Sequence, residues 1–146
     1  DGYLTQTTLE ELVHTTIAVS PEEFFVFTWS DKARPLLERY HEKRGDANLR
    51  CDGWQDGAEW GHTQFATFET PVVTPLKTSS SRMDEKMRYH LTPERFLLEI
   101  IGKLYTCPYA DSFLVEQRFE VTSNGDGTST LIISSALNFV KSTIFK

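Results

Sequence analysis

The chain is poor in cysteine, in positive charge and in long apolar runs, and each shortage excludes something. Two cysteines in 146 residues, Cys51 and Cys107, are too few for a disulfide-stapled scaffold. They read as a reduced pair of small buried hydrophobes, with a single bridge between them as the alternative. No Asn-x-Ser/Thr sequon occurs, which agrees with a cytosolic setting. No stretch approaches the ~18 continuous apolar residues of a membrane span; Phe24–Phe27 is a typical longest run. No signal peptide is legible in these residues and the sequence starts at Asp1 rather than Met, so the chain is expected to be an excised domain. Fifteen Lys+Arg against 21 Asp+Glu leave a net charge of −6, which repels polyanions and argues against nucleic acid as a partner.

Reactive motifs are scarce too. His14, His41, His62 and His90 show no metal-ligand spacing, and neither cysteine belongs to a Cys-x-x-Cys pair. Gly125-Asp126-Gly127 lies in a polar hairpin context and lacks the Lys-Ser/Thr ending of a phosphate loop. There is no Gly-x-Ser-x-Gly elbow, and Cys107 precedes Pro108 with no activating signature around it. The carboxylates are numerous, yet none stands in a spacing that dictates acid/base chemistry. No catalytic residue, metal or cofactor is expected.

What the chain does have is hydrocarbon. A hydrophobic fraction of 39% with ten phenylalanines suits one domain over residues 1–146, with a large aromatic core or an aromatic-lined pocket. Glu10–Ser20 holds Val13, Ile17 and Val19 at period two and reads as a strand. Ser20-Pro21-Glu22-Glu23 is a capping box ahead of an apolar run, which predicts a short helix to about Trp29. A second helix carries Leu36, Leu37 and Tyr40 and stops near Gly45.

Strands follow. Asn48–Gln55 leads through an Asp56-Gly57 turn into Glu59–Thr70. Thr70–Ser81, rich in Thr, Ser and Pro, reads as the nearest thing to a linker. Arg82–Leu91 alternates, with Met83, Met87, Tyr89 and Leu91 on one face and Arg82, Lys86, Arg88 and His90 on the other. Ser112–Ser123 alternates likewise, and Asn124-Gly125-Asp126-Gly127 turns it into Ser129–Val140. Thr92–Leu104 is ambiguous: Phe96, Leu97, Ile100, Ile101 and Leu104 form a helical stripe but also suit a buried strand, and pattern alone favours the helix. Two short helices cannot cover a six- or seven-stranded sheet. A further helix is needed, and Lys141–Lys146 reads as its approach or first turn. If that helix stands off, a cavity forms; otherwise the centre is a filled core.

Several short motifs, in order along nearly the whole chain, point to one family. Thr106-Cys107-Pro108-Tyr109-Ala110-Asp111-Ser112-Phe113 resembles the Val-Pro-Tyr-x-Asp-x-Phe signature of the VASt domain, found in the GRAM-domain Aster and Lam sterol-transfer proteins. Thr74-Pro75-Leu76-Lys77 and the following Glu85-Lys86-x-x-Tyr89 are similar to that family's Ser-Pro-Leu loop and next strand. Val140–Lys146 is similar to the lead-in to its closing helix. In the signature Thr106 replaces the usual acidic residue and Cys107 stands at the Val position, changes that remove no reactive group.

The resemblance implies an α+β, helix-grip START-like fold: strand, two helices, a curved antiparallel sheet and a closing C-terminal helix only begun in this chain. It implies that Phe96–Tyr105 is a strand, against the local pattern, with Phe96, Leu98, Ile100 and Leu104 sharing a face. It further implies binding of a sterol or similar lipid and its transfer between membranes. The setting it implies is a monomeric cytosolic domain of an endoplasmic-reticulum-anchored protein at contact sites. A lipid-sensing or protein-interaction module of the same fold is the alternative. By alternation the wall candidates are Phe68, Met87, Tyr89, Phe113, Val115 and Phe119, each of which also suits an ordinary core. Val72, Val73, Pro75, Leu76 and Lys77 form a stiff apolar tip beside a cation, suited to an anionic membrane surface.

Overall fold

The computed structural model describes residues 9–57, 61–105 and 112–140, with backbone alone at 112–113 and 138–140. Strand β1 (Glu10–Ile17) is followed by helix α1 (Pro21–Thr28), a 3-10 turn (Asp31–Ala33) and helix α2 (Arg34–Arg44). Strands β2 (Ala47–Cys51), β3 (Gln55–Asp56), β4 (His62–Val73), β5 (Thr78–Leu91), β6 (Arg95–Leu104), β7 (Ser112–Ser123) and β8 (Ser129–Val140) complete it. They form one curved antiparallel sheet of eight strands, ordered β1-β8-β7-β6-β5-β4-β2 with β3 paired to β4. That architecture is compatible with a helix-grip arrangement. The family signature at Thr106–Asp111 and the expected closing turn at Lys141–Lys146 lie outside the described residues.

Local chemistry sets the helix ends. The Ser20 hydroxyl accepts from the Glu23 amide at 3.1 Å, and the Glu23 carboxylate accepts from the Ser20 amide at 2.9 Å. Those hydrogen bonds hold the Glu23 carboxyl below its usual range. At the other end of the pair, Gly45 takes φ 85°, and its amide donates to Glu42 at 3.0 Å. A glycine is favoured there because that left-handed backbone disfavours a Cβ. An added Cβ would also sit 3.3 Å from the Pro71 ring, so α2 ends against the start of the β4–β5 tip.

Two sequence expectations change in the structure. Thr70–Ser81 is not a linker: β4 and β5 stay paired out to Val73 and Thr78, leaving a four-residue turn. Thr74 closes that turn, its amide and hydroxyl both donating to the Lys77 carbonyl at 2.9 Å. The residues from Arg95 to Leu104 are a strand, as the resemblance implies and against the helical stripe. The stripe arises because β6 is the middle strand of the sheet and is covered on both faces. Phe96, Leu98 and Ile100 are buried on the concave side, while Leu97 and Ile101 are half-buried on the other.

The convex side holds a row of charge. In register, Arg88 of β5 faces Glu99 of β6, which faces Arg118 of β7. Arg88 donates to Glu99 at 2.7 and 2.8 Å, and Arg118 adds a bond at 3.4 Å. Arg88, placed on the polar face by alternation, is therefore on that face but buried, its charge held by a buried carboxylate. On the concave side α1 packs directly on β6 and β7, whereas the main neighbours of α2 are β2 and the 3-10 turn. Phe24 and Phe25 meet Phe96 with ring centres 6.0 and 5.4 Å apart, and Trp29 meets Phe119 edge-on at 5.4 Å. Half of the concave face is filled this way.

Candidate functional site

The other half is open. Between α2 and the sheet lies a cavity of about 580 Å³, within the range that holds one small lipid. Its roof comes from Leu36, Leu37 and Tyr40 of α2, and its end wall from Phe24 of α1 and from Trp29 just after it. Leu36 and Tyr40, one helical turn apart, stay about half exposed because no described element covers that side. The floor is the concave face of β5, β6 and β7: Met83, Ile100, Leu104, Val115 and Phe119, with Glu85 and Gln117 among them. Directly opposite Glu85 stands Gly102, whose absent side chain keeps the floor low. A Cβ there would lie 2.5 Å from the Met83 methyl.

Polar groups gather at the α2 end. His41 is buried against the Phe68 ring at 4.4 Å and holds Asp46 through Nδ1 at 2.7 Å. Arg44 reaches Asp46 at 3.0 Å and donates to the Tyr40 hydroxyl at 3.0 Å. Burial pushes the Glu85 carboxyl up to about 7, with the Arg44 cation working against that and Asp46 with it.

Of the wall candidates, Val115 and Phe119 line the cavity. Phe68, Met87 and Tyr89 are buried in the packed core around it: Tyr89 meets Phe25 at 4.5 Å and Trp54 at 4.6 Å. Phe113 lies on the same face by register, and its side chain falls outside the described set. The helix residues of the roof were missed because alternation speaks only of strands. Glu85 was missed although its signal is present, a carboxylate at inward parity between Met83 and Met87.

The apolar tip adjoins this cavity. Thr70 lines it, and Val73 stands three residues further along the same strand, about 10 Å away. Val73 is 75% and Leu76 95% exposed, with Pro75 and Lys77 also exposed and Val72 half-buried. Val73 and Leu76, at the end of the tip, therefore face solvent among the described residues.

A family profile described as "VAD1 Analog of StAR-related lipid transfer domain", or VASt, matches residues 11–146. The chain belongs to the VASt family. Among curated proteins it is similar to Protein VASCULAR ASSOCIATED DEATH 1, chloroplastic, of Arabidopsis thaliana, at 28% identity over 133 residues. That stretch covers 88% of this chain and 22% of the relative, so the VASt chain spans about a fifth of the protein it resembles. Membership in a StAR-related lipid-transfer-like family supports lipid binding in general terms. Among the described residues, no cluster of three or more His, Cys, Asp or Glu could hold a metal, and no helix is long and apolar enough to cross a membrane.

Proposed function

We propose that this VASt domain, a helix-grip START-like unit, holds one sterol or lipid of similar size in the α2 cavity and transfers it between membranes without catalysis. The observation that carries the reading is the cavity itself: about 580 Å³ of mostly apolar space, beside an exposed apolar tip. A rigid hydrocarbon needs apolar and aromatic walls with a few placed polar groups, and this floor and roof supply both. Val73 and Leu76 enter the lipid surface while Lys77 stays with the anionic headgroups. Cargo then moves the short distance from the bilayer to the cavity along the α2–β4 margin. In the intact protein the domain works as a monomer in the cytosol, at contacts between the endoplasmic reticulum and a second membrane.

The test is transfer of a fluorescent sterol from donor to acceptor liposomes, with and without anionic lipid. Delivery that rises with protein and with anionic lipid is the expected result. Retention of sterol without delivery would leave a lipid-sensing module of the same fold. No uptake by the folded chain would remove lipid carriage from the α2 cavity.

A further inference from the structure

The cavity floor carries one group that an apolar wall does not explain. Glu85 sits at inward parity on β5, with Ala66 of β4 on one side and Gly102 of β6 on the other. Neither offers a hydrogen-bonding side chain. A Cβ at Gly102 would stand 3.5 Å from Glu85 Cγ, so its absence leaves the carboxyl uncovered toward the cavity. Among the described residues nothing hydrogen-bonds or ion-pairs with Glu85.

The groups that face it are committed elsewhere or uncharged. From α2 and the turn after it come Arg44, Tyr40, His41 and Asp46, and these bind one another: Arg44 holds Asp46 and Tyr40 at 3.0 Å, and His41 holds Asp46 at 2.7 Å. β4 presents Thr70 and β7 presents Gln117, neither of them ionisable. α1 presents Thr28, whose hydroxyl already donates to the Phe24 carbonyl at 2.5 Å. A carboxylate in such a place loses water and gains no donor, whereas the uncharged acid loses much less.

We propose that Glu85, as a neutral carboxylic acid, recognises the polar end of the cargo, so that the cavity takes a neutral lipid bearing a hydroxyl and refuses one bearing a carboxylate. The proposal rests on the lipid-carrier reading and deepens it. A carboxylic acid offers one O–H donor and a carbonyl acceptor, and an alcohol needs one of each. A cargo carboxylate would have to compete with Asp46 for Arg44, the cation at the cavity margin, and would lie beside the Glu85 carboxyl as well. The Glu85 carboxyl stands at about 7 before cargo enters, and a hydrocarbon cargo packed against it buries it further and drives it up. Cargo uptake therefore brings a proton with it and weakens as pH rises.

The experiment titrates the full chain with dehydroergosterol, read by energy transfer from Trp29 in the cavity wall, at about pH 6 and about pH 8. Wild type should bind about tenfold more weakly at the higher pH. E85Q, which keeps a neutral donor and acceptor, should bind well at both. E85M, of similar volume, should lose about three- to tenfold at the lower pH. Wild type and E85Q should prefer the hydroxysterol to cholestane, the same kind of skeleton without the hydroxyl, and E85M should not. Oleic acid should fail to displace the sterol. Sterol uptake with the same pH profile and selectivity in all three proteins would overturn this inference and leave the carrier reading intact. E85Q falling with E85M would show that the carboxylate is the recognising form, which also overturns it. A folded wild type that takes up no sterol at either pH would overturn both.

Discussion

The two halves of the concave face are built by the same sheet and differ in what stands over them. Under α1 the rings of Phe24, Phe25 and Trp29 reach Phe96, Tyr89 and Phe119, and the space is filled. Under α2 the roof residues Leu36, Leu37 and Tyr40 face a floor lowered by Gly102 and Val115 and interrupted by Glu85 and Gln117. A helix with large rings facing a flat strand makes a core. A helix that stands off from a floor holding a glycine makes a cavity. Stability and ligand capacity are thus assigned to different ends of one surface.

Phe96→Ala should break the filled half and have the largest effect, because Phe96 is fully buried under two aromatic rings. A loss of about 3–5 kcal/mol is expected by urea denaturation. A loss under 1 kcal/mol would mean that this half is not the stabilising core.

Glu85 comes next, and here pH supplies the contrast. Its carboxyl rises from 4.5 to about 7 on folding, so the folded state holds the proton more tightly than the unfolded one. Stability contributed by the neutral acid is present below about pH 4.5, falls as pH climbs to about 7 and then levels off. The loss is on the order of 3 kcal/mol. E85Q should flatten that decline in denaturation curves taken across the range, and an unchanged slope would place Glu85 in water.

Val115→Trp sharpens the comparison from the open side. Val115 lines the cavity, so a larger ring there should enter empty space, change stability by under about 1.5 kcal/mol and reduce sterol uptake at least tenfold. Full uptake would locate the cargo elsewhere. The smallest effect on stability belongs to the tip. V72D, V73D and L76D together should shift stability by no more than about 1 kcal/mol, since Val73 and Leu76 are exposed. Liposome transfer should nevertheless drop steeply, because each inserted apolar side chain is worth about 1.5–3 kcal/mol when fully buried. An unchanged transfer rate in the folded triple variant would remove the tip from the mechanism.

Local signals were legible wherever a few neighbouring residues decide the outcome. Ser20 and Glu23 cap α1 through each other, Gly45 ends α2, and the parity of Met83, Met87 and Tyr89 points inward, all from short-range chemistry. The family motifs added the strand at β6. Three features depended on partners distant in the chain. The helical stripe at Phe96–Leu104 is undone because β5 and β7 flank that segment and both its faces are covered. Arg88 is buried because Glu99, eleven residues away, meets it across the ladder. Pro71 and Val72 are strand because β5 pairs with them residue for residue, whereas their composition is that of a loop.

By itself, then, the order of residues determined the two helices, their caps, the alternating strands with their inward faces and the membership in the VASt family, since each depends on spacing along the chain. Only the tertiary structure decided which inward residues meet another ring and which meet open space. Whether Phe68 is core and Val115 is wall depends on how far α2 stands from the sheet, and no local pattern encodes that distance. The upward shift of the Glu85 carboxyl was decided there as well. A carboxyl is acidic in sequence and in water, and its hold on the proton rises only where folding buries it more than a neighbouring cation, here Arg44, offsets.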